Sequence, residues 1–263
     1  MSSAAVVIRA RRGFDRYGWP GLAKEAFVRP LRPALAPIAA RRLHEQVERA
    51  TGIDQLINLA FEFDVFGITV SPGQVRSEFR QFLELVAELR PRRMLEIGTA
   101  NGGSLLVLAG LCAPDAKIMS IDLPDGEFGG GYPSWKLPIY RAFARADQQV
   151  ELLRGDSHDP GSLAKVDALL GDDKLDLLFI DGDHTYDGVR RDFEMYSPLV
   201  RKGGLIAFHD INPPNPQSST TDGTRLLVGE VPEYWAEIRD AHNGQEFVAP
   251  SENGCFGLGV IRT

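Results

Sequence analysis

The stretch Met94-Leu-Glu-Ile-Gly-Thr-Ala-Asn-Gly-Gly-Ser104 decides the fold. Met94, Leu95 and Ile97 read as an apolar strand, Gly98, Gly102 and Gly103 as a turn, and Leu105 to Leu111 as the apolar run of a buried helix. Glycine tolerates positive φ and lets a ligand approach the backbone, so this density of glycine between strand and helix predicts a loop that holds a cofactor. The spacing is G-x-x-x-G-G rather than G-x-G-x-x-G, which argues against a dinucleotide dehydrogenase. Glu96 adds a carboxylate just ahead of the first glycine. The plain alternative is an ordinary tight turn.

Downstream, strands and helices alternate, the pattern of a parallel sheet covered on both faces. Strands read over 116–123, 150–156, 175–181 and 203–210 carry carboxylates at their ends, Asp122, Asp156, Asp181 and Asp210. Helices are expected over 135–146, 160–170, 188–196 and 224–240. Two closing strands, 246–249 and 255–262, are linked by Ser251-Glu-Asn-Gly254, which predicts a hairpin and a last strand antiparallel to its neighbours. Upstream, 38–50 and 74–89 have helical periodicity, the second helix opened by Ser71 as cap and Pro72 at its first position. The aromatic Phe61-Glu-Phe-Asp-Val-Phe66 reads as a pocket wall or a packed lid. Glycine- and proline-rich segments at 124–133 and 211–223 are long enough to move over a site.

The 263 residues are 43% hydrophobic, ample for one α/β domain with an appendage. No apolar run reaches membrane-span length, and the first ten residues lack the basic start of a secretory signal. Two cysteines, Cys112 and Cys255, make no disulfide framework and fit a reducing, cytoplasmic setting. Net charge is −7, but residues 1–50 carry +6 and the remainder −13. The basic arm is expected to pack on the acidic body or on a second subunit, giving a homo-oligomer, rather than to bind nucleic acid or membrane. Residues 1–70 therefore read as an arm and helical cap, and 71–263 as the catalytic domain.

Over about residues 70–263 this order of glycine loop, strand-end carboxylates and closing hairpin resembles the class I S-adenosylmethionine-dependent methyltransferases. The resemblance implies a Rossmann-like α/β fold with a seven-stranded, mostly parallel sheet, an antiparallel last strand and a helical N-terminal extension. It also implies S-adenosylmethionine as cofactor. Its methionine end would lie on Glu96, Gly98, Thr99, Asn101, Gly102, Gly103 and Ser104, its ribose on Asp122, and its adenine on Asp156 and Ser157, with Asp181 at the cofactor's edge. Carboxylates suit a diol or an amine as hydrogen-bond acceptors.

The chain is similar in particular to metal-dependent small-molecule O-methyltransferases. That likeness implies Mg²⁺ or another divalent cation on Asp181, His209 and Asp210, with His209 a departure from the usual carboxylate or asparagine. Asp181-x-x-His184 resembles the branch that tailors antibiotics and sugars in secondary metabolism, where the histidine is general base for a small-molecule hydroxyl acceptor. A competing reading makes Asp183 and His184 simple caps of the helix near Tyr186. Two other functional readings stand beside it: a metal-independent class I methyltransferase, and a non-catalytic protein of the same fold that binds partners through its arm.

Overall fold

One sheet with two alternating sets of apolar side chains builds the core. The structure, a computed structural model, describes residues 28–124, 131–213, 229–249 and 256–263. The expectations on the basic arm up to residue 27, on most of the segments after Leu123 and Asn212, and on the hairpin link with Cys255 lie outside the described residues.

The chain enters through α1 (Arg32–Arg49), α2 (Ile53–Glu62), a two-strand ribbon of β1 (Asp64–Val65) and β2 (Ile68–Thr69), and α3 (Arg76–Leu89). The expected start of α3 at Ser71-Pro72 is corrected. The helix begins at Arg76 behind Val75, without a side-chain cap. Residues 70–72 instead run against the glycine loop, where a Cβ on Gly103 would lie 2.1 Å from Pro72 N and 2.4 Å from Val70 O. Close backbone packing wins over the local start signal, and Gly103 is required for it.

The sheet follows as β3 (Arg93–Ile97), β4 (Lys117–Asp122), β5 (Gln149–Arg154), β6 (Leu175–Ile180), β7 (Val200–Asn212), β8 (Gln245–Phe247) and β9 (Phe256–Arg262). Its order is β5-β4-β3-β6-β7-β9-β8. β3 to β7 pair in parallel, while β9 is antiparallel to both β7 and β8, as the hairpin reading requires. Between strands lie α4 (Gly103–Leu111), α5 (Leu137–Arg141), α6 (Pro160–Leu170), α7 (Tyr186–Tyr196) and α8 (Val231–Ile238). The helix expected over 135–146 is only a 3₁₀ turn plus the short α5.

Side chains of a strand alternate between faces. Met94, Ile118, Leu177 and Phe179 face one core, with α1 to α4; Leu95, Ile97, Met119, Leu178 and Ile180 face the other, with α6 to α8. Glu96 falls in the first set and is wholly buried. α4 is apolar all round because it lies between the sheet and α2, where Leu56 fills the space beside Gly110.

A buried acid ties the helical cap to the closing strands. Glu78 of α3, 1% exposed, accepts hydrogen bonds from Ala249 N (2.8 Å) and Gly257 N (3.1 Å). Glu78→Ala would strand two buried amides, and a loss of about 2–4 kcal/mol is expected in denaturant unfolding. An unchanged midpoint would show that water or backbone replaces the carboxylate.

Candidate active site

The site lies at the carboxyl edge of β3, β4 and β6, where the strand order reverses direction and open α/β sheets leave a crevice. Gly98 N donates to Ile121 O (2.9 Å) and Asp181 N to Ile97 O (2.8 Å), so the ladders continue into the loops. Gly98 sits at φ +89°, and a Cβ there would be 1.9 Å from Asp181 O. The first glycine therefore admits the neighbouring backbone, which brings Asp181 beside the glycine loop.

The loop itself is tightly held. Gly102 N donates to Thr99 O (2.7 Å), and the Thr99 and Ser120 hydroxyls are hydrogen-bonded. Ala100, at φ +43°, gives its amide to Asp122 (2.6 Å) and its carbonyl to the Tyr140 hydroxyl (2.7 Å). Gly102, at φ +82°, lies on the Tyr140 ring. Asn101 Oδ1 accepts from Lys136 Nζ (3.1 Å), and Ser104 is buried in the first turn of α4 beside Glu96.

Two buried carboxylates, Glu96 and Asp122, face this loop. Neither Glu96 oxygen has a hydrogen bond of ordinary geometry. Burial pushes its carboxyl up to about 8; the Asp181 and Asp122 charges add to the rise, and nearby Ser104 and Thr99 hydroxyls oppose it. Burial likewise raises Asp122 to about 6, against the amides of Ala100 and Thr99. Asp156 follows β5 at the outer side; 54% of its side chain is exposed, and Oδ1 accepts from His158 N (2.8 Å). Ser157 presents its carbonyl to the Tyr196 hydroxyl (2.7 Å). The structure thus brings Glu96, Gly98 to Ser104 and Asp122 together, with Asp156 and Ser157 one strand farther out.

On the other side of Gly98 stands a denser cluster. Asp181 Oδ2 accepts from Gln74 Nε2 (2.8 Å) and Oδ1 from His209 Nδ1 (3.0 Å). His184 Nδ1 is 3.2 Å from Asp210 Oδ2, and its Nε2 is 3.6 Å from Asp181 Oδ1. Asp210 reaches this point through a bulge in β7 between His209 and Asn212, at φ +63°. The extra residue re-aims its side chain, so neighbours in a strand serve one site.

Burial alone would raise Asp181, but the charges and hydrogen bonds of His209 and His184 hold it below the usual carboxylate range. Burial would lower His209, yet Asp181 and Asp210 lift it to about 9. Burial raises Asp210 to about 6. Among the described residues, donor atoms of Asp181, His184 and Asp210 lie within 4.8 Å of one another, a spacing a cation could bridge. The expected set had His209 in place of His184; His209 is present, hydrogen-bonded to Asp181, with its Nε2 buried and unpartnered. The cap of α7 is neither Asp183 nor His184 but Thr185, whose hydroxyl accepts from Gly188 N (3.0 Å).

Sequence reasoning missed four residues. Gln74 and Lys136 stand at the starts of the expected helices 74–89 and 135–146, where a polar residue reads as exposed, and Tyr132, whose hydroxyl is buried without a hydrogen bond, ends the glycine-rich segment. Asp192 had a readable signal, an acid on the buried stripe of Val189 and Tyr196. It is fully buried, 3.2 Å from His158 Nε2, and so fastens α7 to the loop of Asp156.

The Glu96 carboxyl predicts a pH effect on the cofactor-free chain. Its folded pKa of about 8 exceeds the ordinary 4.5, so the stability linked to it is full below about 4.5 and is lost as pH rises through 8. Glu96→Gln removes that loss. In urea unfolding the variant should gain about 2–4 kcal/mol on the parent between pH 5 and pH 9. A difference independent of pH would contradict the buried, unpaired acid.

Comparisons with known proteins agree with this geometry. Residues 95–211 match the family model described as a methyltransferase domain. The chain is 33% identical over 188 residues to "Uncharacterized protein y4gI" of Sinorhizobium fredii, covering 67% of this chain and 18% of that protein. It is 35% identical over 96 residues to demethylmacrocin O-methyltransferase of Streptomyces fradiae, covering 32% of this chain and 24% of the enzyme. The chain spans half or less of the length of the curated relatives it matches. Among solved structures, the MycE methyltransferase of the mycinamycin biosynthetic pathway, in complex with Mg and SAH, superposes with a TM-score of 0.51. The identity is 18%, over 82% of this chain and 55% of that one, a likeness of fold. Strand order, glycine loop and the methyltransferase domain matched over residues 95–211 coincide at one edge of the sheet.

Proposed function

We propose that the protein transfers a methyl group from S-adenosylmethionine to a hydroxyl oxygen of a small molecule, at the cluster of Asp181, His184, His209 and Asp210. The observation that carries this reading is the convergence of Asp181, His184 and Asp210 within 4.8 Å, next to the glycine loop. The cradle fits the cofactor: Glu96 offers two unpartnered carboxylate oxygens to an ammonium, and Asp122 suits a ribose diol. The cluster fits a hard divalent cation, since Asp181 and Asp210 supply carboxylates and Asp210 Oδ1 is buried without a hydrogen bond.

When bound, the cofactor supplies an electrophilic methyl and the cation a charge that favours loss of the hydroxyl proton. The protein's own contribution is proton removal and placement. A proton on His184 Nδ1 satisfies Asp210 at 3.2 Å and leaves Nε2 as acceptor, the arrangement of a general base held by a buried acid. Asp181, Asp210 and His209 would hold the cation, and Gln74 fixes the far oxygen of Asp181. The same 4.8 Å convergence supports a second reading, in which His184 is a metal ligand instead.

MycE, a Mg-containing structure, and the demethylmacrocin enzyme support an O-directed, metal-assisted reaction. Methylation of a panel of hydroxylated small molecules should cease in excess chelator and return with Mg²⁺; full activity in chelator would leave a metal-free methyltransferase. His184→Asn should lower kcat by about 10²–10⁴-fold with Mg²⁺ affinity intact if His184 is the base. A parallel loss of Mg²⁺ affinity would make it a ligand.

A further inference from the structure

The cradle separates its charges in a way that the cofactor reading does not by itself explain. At its floor stand two buried acids: Glu96, whose oxygens have no hydrogen bond of ordinary geometry, and Asp122, which accepts from Ala100 N and feels the charge of Arg154. At its tip stands Lys136, 9% exposed, with Nζ 3.1 Å from Asn101 Oδ1, 3.4 Å from the Tyr140 hydroxyl, and over the Tyr140 ring at 5.7 Å. No carboxylate is recorded against it among the described residues. The charged group that acts on it is a second cation, Arg32 of α1. Burial, and then Arg32, push Lys136 down to about 8.

A buried ammonium with only neutral partners costs several kcal/mol relative to water unless an anion joins it. Asn101 immediately precedes Gly102, the N-cap of α4, whose first amides add positive potential at the same point. Lys136 meets the loop at Asn101, and Glu96 lies in β3 at the loop's start. A zwitterion fits such a cradle: its ammonium to Glu96, its carboxylate to Lys136.

We propose that Lys136 binds the α-carboxylate of the cofactor's amino-acid end, with Asn101 holding its Nζ in place. This rests on the cofactor assignment above, and it makes Lys136 the residue that distinguishes an intact aminocarboxyl tail from a nucleoside lacking one.

The test is calorimetric and needs no acceptor. S-adenosylhomocysteine and its decarboxylated analogue, which keeps the amine and loses only the carboxylate, are titrated into the wild-type full chain, Lys136→Met and Lys136→Arg. Wild type should prefer S-adenosylhomocysteine. Lys136→Met should weaken that ligand by about 10- to 100-fold, as expected for a charge-assisted hydrogen bond, and the analogue by less than about twofold. Lys136→Arg should recover most of the loss. Equal weakening of both ligands by Lys136→Met would overturn the proposal and make Lys136 a prop for Asn101, as would undiminished binding of S-adenosylhomocysteine. If Lys136→Met does not fold, the same comparison on Lys136→Gln decides. Failure of wild type to bind either ligand would instead sink the cofactor assignment itself.

Discussion

Gly98 and the carbonyl of Asp181 touch so closely that no side chain fits between them, and the carboxyl edge of the sheet depends on that contact. β3 continues hydrogen bonding on both sides, through Gly98 N to Ile121 O and Asp181 N to Ile97 O. The glycine loop and the cluster around Asp181 are therefore two sides of one backbone junction. The same logic recurs at Gly103 against Val70 and Pro72, which anchors the approach to α3 and with it Gln74. Glycines that read as room for a ligand turn out to be room for neighbouring backbone, and the ligand surface is what that packing leaves open.

Around this junction the protein buries acids whose partners differ. Glu96 and Asp122 are raised by burial, whereas Asp181 is held low by two imidazoles although it is just as hidden. The difference is partnership, since a carboxylate in low dielectric keeps its charge only beside a cation or donor. Asp181 has both His209 and His184 beside it, whereas Glu96 has only neutral hydroxyls nearby as donors.

Backbone strain reaches the Asp181, His184 and Asp210 cluster. Asp210 takes a left-handed conformation inside a strand, and the bulge of β7 turns it toward His184 and Asp181. A regular strand would send His209 and Asp210 to opposite faces. The bulge is held against β9 beyond it, where Phe256 pairs with Asn212 and stacks on His209 at 5.9 Å, while Glu78 clamps the neighbouring Gly257 from α3. The closing hairpin and the helical cap therefore support the site from behind.

The sequence by itself determined the alternation of strands and helices, the seven-strand sheet with an antiparallel end, and the edge at which Glu96, Asp122, Asp181 and Asp210 gather, because strand periodicity and glycine turns are local properties. Local signals failed where packing overrode them: Ser71-Pro72 does not start α3, since those residues are needed against Gly103, and Thr185 caps α7, which leaves His184 to face Asp210. Only the tertiary structure decided which charges meet. Gln74 and Asp181 are far apart in sequence, as are Lys136 and Asn101, and no pattern along the chain encodes a hydrogen bond between them. Periodicity fixes which face a residue occupies; the identity of its neighbour is fixed by how the elements pack, and for a buried charge the neighbour sets the chemistry.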